Sequence, residues 1–91
     1  MAEAGYRVTG RVQGVGYRWW ARSLAVRLGV SGGVRNLPDG SVSVHARGTD
    51  EQLRRLAAAL AEGPPGARVT SVDPVPFSPD GLPDDEFSIL R

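Results

Sequence analysis

The sequence predicts an α+β fold: a β-α-β-β-α-β sandwich with two helices on one face of a mostly antiparallel sheet and a short extra C-terminal strand. Three observations lead there. Apolar residues alternate along short runs near the start and middle of the chain. They recur at three to four residue spacing along two longer stretches. Gly and Pro clusters fall between these segments as turn signals.

From Tyr6 to Gln13 the residues alternate, with Tyr6, Val8, Gly10 and Val12 on one side and Arg7, Thr9, Arg11 and Gln13 on the other, which predicts a half-buried strand. After Gly14-Val15-Gly16 the spacing becomes helical. Trp20, Leu24 and Leu28 lie four apart with Ala21 and Ala25 beside them, and Gly29 supplies the C-cap. Alternating runs from Val30 to Leu37 and Ser41 to Arg47 flank Pro38-Asp39-Gly40, a tight-turn sequence, and read as a hairpin. Thr49 and Gln52 have capping-box spacing ahead of Leu53, Leu56, Ala57 and Leu60, and Gly63-Pro64 stops this second helix. A fourth strand is expected over Arg68 to Val72. A Pro-rich, acidic connection then runs from Asp73 to Asp85, and a terminal strand from Phe87 to Leu90.

This order resembles the ferredoxin-like sandwich. A helix joins the first two strands, so they are expected to be parallel, with the third between them and their C-terminal ends on one edge. Two strand steps of about 4.8 Å put those ends roughly 10 Å apart, within common reach of a small anion.

Composition narrows the function classes. Ninety-one residues build one core, so residues 1–91 are expected to form a single domain. The net charge of +1 lacks the basic excess of nucleic-acid binders. All eleven basic residues are Arg, so each needs local support before a role is given to it. The absence of Cys excludes a disulfide framework, a thiolate nucleophile and a cysteine-ligated zinc. No long apolar run points to a membrane, and the expected location is cytoplasmic.

The chemistry concentrates in Gln13-Gly14-Val15-Gly16-Tyr17-Arg18, where a strand hands over to a helix whose first N–H groups have no helical partners. Glycines 14 and 16 permit the positive φ angles of a phosphate-binding nest. The same loop also reads as a plain strand-to-helix turn. Arg18 bears on that choice, because a cation in a first helical turn opposes the dipole, at about 0.3 to 1 kcal/mol, unless an anion lies between. Its planar fork can grip two phosphate oxygens. Asn36 falls in the inward phase of Val30, Gly32 and Val34, where an apolar residue would continue the pattern. Asn also begins turns well, and its shared edge with the loop is what favours a role in the site. Arg22 reads as solvated and is left out of the site. His45, in phase with Ser41, Ser43 and Arg47, reads as a surface residue with no second His to complete a metal site. Trp20 reads as core and Trp19 as its flank.

The segments Gly10-Arg11-Val12-Gln13-Gly14-Val15-Gly16-Tyr17-Arg18 and Gly32-Gly33-Val34-Arg35-Asn36-Leu37-Pro38-Asp39-Gly40 resemble, in order and spacing, the two signature motifs of acylphosphatases. Gly63-Pro64-Pro65-Gly66-Ala67-Arg68-Val69 is similar to that family's entry into strand four, so the likeness covers nearly the whole chain. The resemblance implies hydrolysis of acyl phosphates to a carboxylate and phosphate. In that reading the amides of Gln13 to Arg18 and the Arg18 guanidinium hold the phosphoryl group, and Asn36 orients the attacking water. It implies no metal and no organic cofactor, a small acyl phosphate as partner, a cradle that inorganic phosphate or sulfate can occupy, and a monomer. The family often has Phe where Tyr17 stands and Trp where Gly33 stands, so Gly33 is expected to loosen packing beside Asn36.

Two other classes compete. A ferredoxin-like sheet can present aromatics to RNA bases, but the sheet-face aromatic motif is missing here. A non-enzymatic domain that binds an anion or a protein could keep the same cradle.

Overall fold

The computed structural model describes Met1–Leu90; Arg91, the last residue of the expected domain, lies outside these residues. The elements are β1 (Ala2–Arg11), α1 (Tyr17–Leu28), β2 (Ser31–Asn36), β3 (Val42–Gly48), α2 (Asp50–Glu62), β4 (Arg68–Val75) and β5 (Phe87–Ile89). The sheet order is β4-β1-β3-β2-β5. Neighbours run antiparallel except β2 and β5, which are parallel. The expected α+β ferredoxin-like sandwich is therefore present, with β3 between the parallel pair β1 and β2.

One core joins sheet and helices. Val8, Val12, Val34, Val42, Val44 and Ala46 from the sheet region meet Ala21, Leu24 and Ala25 of α1 and Leu53, Leu56 and Leu60 of α2. Tyr17, at the start of α1, is the largest fully buried side chain and joins the helical stripe that begins with Trp20 in the sequence pattern. Its hydroxyl donates to Leu60 O at 2.8 Å, which satisfies a carbonyl in the last turn of α2. Gln52 ties the other helix ends together: its Nε2 donates to Leu28 O at 2.9 Å, and its Oε1 accepts from Thr49 N at 2.8 Å.

Several boundaries differ from the sequence expectation, each for a tertiary reason. β1 begins at Ala2 because Ala2 to Gly5 pair with Gly48 to His45 of β3, a contact that small residues do not announce. It ends at Arg11, two residues before Gln13. β4 runs on to Val75, past the expected end at Val72, despite Pro74. An edge strand tolerates a residue without an N–H, and β4 is an edge. β1 also carries an irregularity between Thr9 and Gly10 against β4, where Gly10 has φ 122° and a Cβ would lie 2.1 Å from Arg68 O.

The outer face of the sheet is covered where solvent was expected. Ser78 N donates to His45 Nδ1 at 3.1 Å, and the Phe77 ring stands edge-on to the imidazole at 5.9 Å between centroids. Arg47 lies 5.2 Å over the same ring and donates to Pro83 O at 3.3 Å. His45 is thus a partly buried residue beneath a strap of chain, not a surface residue. Burial, followed by the charge of Arg35, holds its pKa below the ordinary 6.5. Gly33 is likewise buried without a void, because a Cβ there would lie 2.7 Å from Leu90 Cδ1 and 2.9 Å from Leu82 Cδ2. The two leucines fill the space in which looser packing was expected.

Candidate active site

The two sequence-predicted halves of the site meet on one cavity of about 160 Å³, lined by Val12, Gly14, Gly16, Tyr17, Arg18, Trp19 and Asn36. The topology explains the meeting. β1 delivers the loop and the start of α1 to the same sheet edge at which β2 ends with Asn36, while β3 spaces the two strands.

The loop is built for an open helix end. Gly14 and Gly16 have φ of 75° and 79°, in the left-handed region that favours glycine. A Cβ on either would meet no atom within 4 Å, so the backbone angle, rather than crowding, selects glycine at these positions. Gly16 is the N-cap of α1 and provides no side-chain hydrogen bond, and the first turn contains no acidic residue. The first amides of α1 and the positive end of its dipole are left without a side-chain partner. Arg18 adds a cation at the same place, and among the described residues its guanidinium forms no ion pair.

Asn36 closes the opposite side. Its Oδ1 is the one buried side-chain oxygen or nitrogen among the described residues that lacks a hydrogen-bond partner. Leaving such an atom unpaired costs about 1 to 3 kcal/mol. A buried acceptor on the wall of a polar cavity is a place for a water or substrate donor.

The remaining predicted residues are placed around these groups. Gln13 does not line the cavity; its side-chain Nε2 donates to Leu37 O and Ser41 O, both at 2.8 Å, and so ties the loop to the hairpin turn that follows Asn36. The turn is itself braced. Asp39 Oδ1 accepts from Ser41 N at 2.9 Å and Ser41 Oγ at 2.5 Å, and Asp39 Oδ2 pairs with Arg7. The Ser41 hydroxyl first, then Arg7, hold the Asp39 carboxyl well below its usual range. Val15 packs against the core, and Tyr17 is among the residues that line the cavity while its side chain is fully buried. Burial pushes the Tyr17 phenol well above its ordinary pKa, so it is neutral at physiological pH.

Trp19 is the residue that sequence reasoning passed over. It is 67% exposed on the cavity wall, whereas Trp20 packs with its ring centroid 5.3 Å from that of Tyr17. The signal was available, since position 19 falls outside the stripe of Trp20, Leu24 and Leu28.

Comparison with known proteins bears on this geometry. The family model described as Acylphosphatase matches residues 4–89. The chain belongs to the acylphosphatase family. An acylphosphatase of Thermotoga petrophila is 49% identical over 78 residues, covering 86% of this chain and 87% of that one. An acylphosphatase of Nitratidesulfovibrio vulgaris strain DP4 is 50% identical over 88 residues, covering 92% and 86%. Among solved structures, the crystal structure of acylphosphatase from Bacillus subtilis covers both chains fully, at 33% identity and a TM-score of 0.89. Within the acylphosphatase frame, no group of three or more His, Cys, Asp or Glu among the described residues could hold a metal ion. No helix among them is long and apolar enough to cross a membrane.

Proposed function

We propose that the chain acts as one catalytic unit that hydrolyses the carboxyl-phosphate bond of small acyl phosphates. The observation that carries this reading is the pairing, on one cavity, of an uncapped helix start bearing Arg18 with the unpartnered Oδ1 of Asn36. Amides of the Gln13 to Arg18 loop and the Arg18 guanidinium hold the phosphoryl oxygens and neutralise charge that builds in the transition state. Asn36 Oδ1 accepts a hydrogen bond from water and leaves a lone pair of the water oxygen free to attack phosphorus.

As the new bond between water oxygen and phosphorus forms, the bond between phosphorus and the acyl oxygen breaks, and its electron pair departs with the carboxylate. The proton of the water passes to a phosphate oxygen. A carboxylate whose conjugate acid has a pKa of about 4 leaves without a proton donor, so positioning and charge stabilisation suffice. A phosphomonoester, with an alkoxide to expel, fits this site poorly.

Size and a composition that needs no oxidising compartment support a cytoplasmic monomer, with inorganic phosphate or sulfate able to occupy the cradle. The test is hydrolysis of benzoyl phosphate by the purified protein in the presence of a metal chelator, with Arg18→Ala alongside. Turnover is expected in the parent protein, together with competitive inhibition by inorganic phosphate, and both are expected to fall in the variant. Equal rates in the two proteins would remove Arg18 from the mechanism, and no turnover in either would overturn the reading.

A further inference from the structure

Residues 76–86 run from the end of β4 at one border of the sheet to the start of β5 at the other, so this strap crosses the outer face of the sheet. One transverse row receives it: Val75 of β4, Gly5 of β1, His45 of β3, Gly33 of β2 and Ser88 of β5 stand in register. His45 is the centre of that row, with glycine on either flank. A Cβ on Gly5 would lie 2.8 Å from His45 Nδ1 and from Val75 O, so a side chain there would displace the imidazole. Gly33 leaves room for Leu82 of the strap. His45 meets the strap as an acceptor, since Ser78 N donates to its Nδ1 at 3.1 Å. That bond requires a neutral ring with its proton on Nε2, because an imidazolium donates from both nitrogens and would turn one N–H toward another.

We infer that His45 is an acid-released latch: the neutral ring holds the strap on the sheet, and its protonation frees residues 76–86 while the border strands stay paired. The ends of the strap differ from its middle in this respect. β4 and β5 are joined to the sheet by backbone ladders that do not titrate, whereas β3 holds the mid-span through side chains, His45 on Ser78 N and Arg47 on Pro83 O at 3.3 Å. The charges around the ring favour release. On this face β1 brings Glu3 and Arg7, β2 brings Arg35, β3 brings Arg47 and β4 brings Asp73. Glu3 pairs with Arg47, Asp39 with Arg7, and Asp73 accepts from Ser71 Oγ at 3.0 Å, so an imidazolium joins cations on a face whose carboxylates are already engaged. On the strap itself Asp80 is exposed, where water and salt screen its attraction. Asp84, Asp85 and Glu86 line a separate cavity with Arg22 and Gln52. Burial and the charge of Arg35 already disfavour the charged ring while the strap is closed.

The experiment follows amide hydrogen exchange of peptides spanning the strap in the parent protein and in His45→Asn, corrected for the intrinsic pH dependence of exchange. Asn places an oxygen close to the position of Nδ1, so it can accept from Ser78 N without titrating. The strap opens more as pH falls below the ordinary 6.5 of a solvated ring, by at most tenfold per unit. In the parent, strap exchange is therefore expected to speed up about 10-fold from neutral pH to about pH 5, while peptides of β1 and β3 stay protected. In His45→Asn it is expected to stay flat. Strap exchange that does not change in the parent, that accelerates equally in His45→Asn, or that rises only together with β1 and β3 overturns the inference. His45 is the single His of the chain, so its own titration can be read by NMR in the parent. Strap opening must share its midpoint, and a mismatch overturns the latch even if the variant does not fold.

Discussion

The two helices begin in opposite ways. At the start of α2, Thr49 and Gln52 close a complete capping box, and Asp50 and Glu51 place negative charge against the dipole. At the start of α1, Gly16 provides no side-chain cap, no acidic residue follows, and Arg18 puts positive charge where the dipole is already positive. Both ends present the same unsatisfied amides and the same partial charge. One is completed by its own sequence and serves stability. The other is left incomplete, which is what a site for an anion requires. Under the proposed function, their difference sets the cost of the site against an internal standard.

The sharpest way to break this contrast is to remove the cation from α1. Arg18→Ala is expected to lower kcat/KM on benzoyl phosphate by roughly 10³-fold or more, as for other arginines that meet a transferring phosphoryl group. The urea midpoint should not fall, because a like charge leaves the helix dipole. Unfolding of the variant under conditions in which the parent is stable would reassign Arg18 to structure.

Asn36→Ala is expected to lower kcat by about 10²-fold, the size of effect seen when one precisely placed polar group is lost. Inhibition by inorganic phosphate should change little, since Asn36 is assigned to the water. A rise in the inhibition constant with kcat intact would move Asn36 to phosphate binding.

At the closed end, Thr49→Ala should destabilise by about 1 kcal/mol. For a domain of this size that lowers Tm by roughly 4 to 8 °C. The kinetic constants should stay at the parent values. A kinetic loss comparable to that of Arg18→Ala would show that the two helix starts are not independent.

The smallest effect concerns the link between the helices. Tyr17→Phe removes the hydrogen bond to Leu60 O and should cost about 0.5 to 1.5 kcal/mol. It also changes the alkaline limb of stability. The folded state holds the Tyr17 proton more tightly than the unfolded chain, whose phenol titrates near 10.0. That contribution is fully present below this value and is lost as the pH rises above it. Urea midpoints measured between neutral and strongly alkaline pH should fall less steeply for Tyr17→Phe than for the parent, with the part due to Tyr6 remaining. Identical slopes would contradict the assignment.

What the sequence made legible was local. The alternation around Val8, the capping box at Thr49 and the turn at Pro38-Asp39-Gly40 are written in neighbouring residues, and each took its expected form. The meeting of the 13–18 loop with Asn36 also followed, because strand-helix-strand connectivity dictates which strand ends share an edge. The misreadings involve distant partners. His45 looked solvated because nothing in its own strand announces Phe77 and Ser78 above it. Gly33 looked like a gap because Leu82 and Leu90, which fill it, lie some fifty residues away in a connection without periodicity. The side chain of Gln13 has a further task that its place in the loop does not announce, since it is engaged with two carbonyls of the hairpin turn.

The borders of the sheet have a consequence for how copies of this chain tolerate crowding. β4 contributes Pro74, which offers no amide, next to the charged Asp73, and β5 is only three residues long. Proline, charge and shortness are devices by which a sheet border disfavours pairing with a strand from another copy.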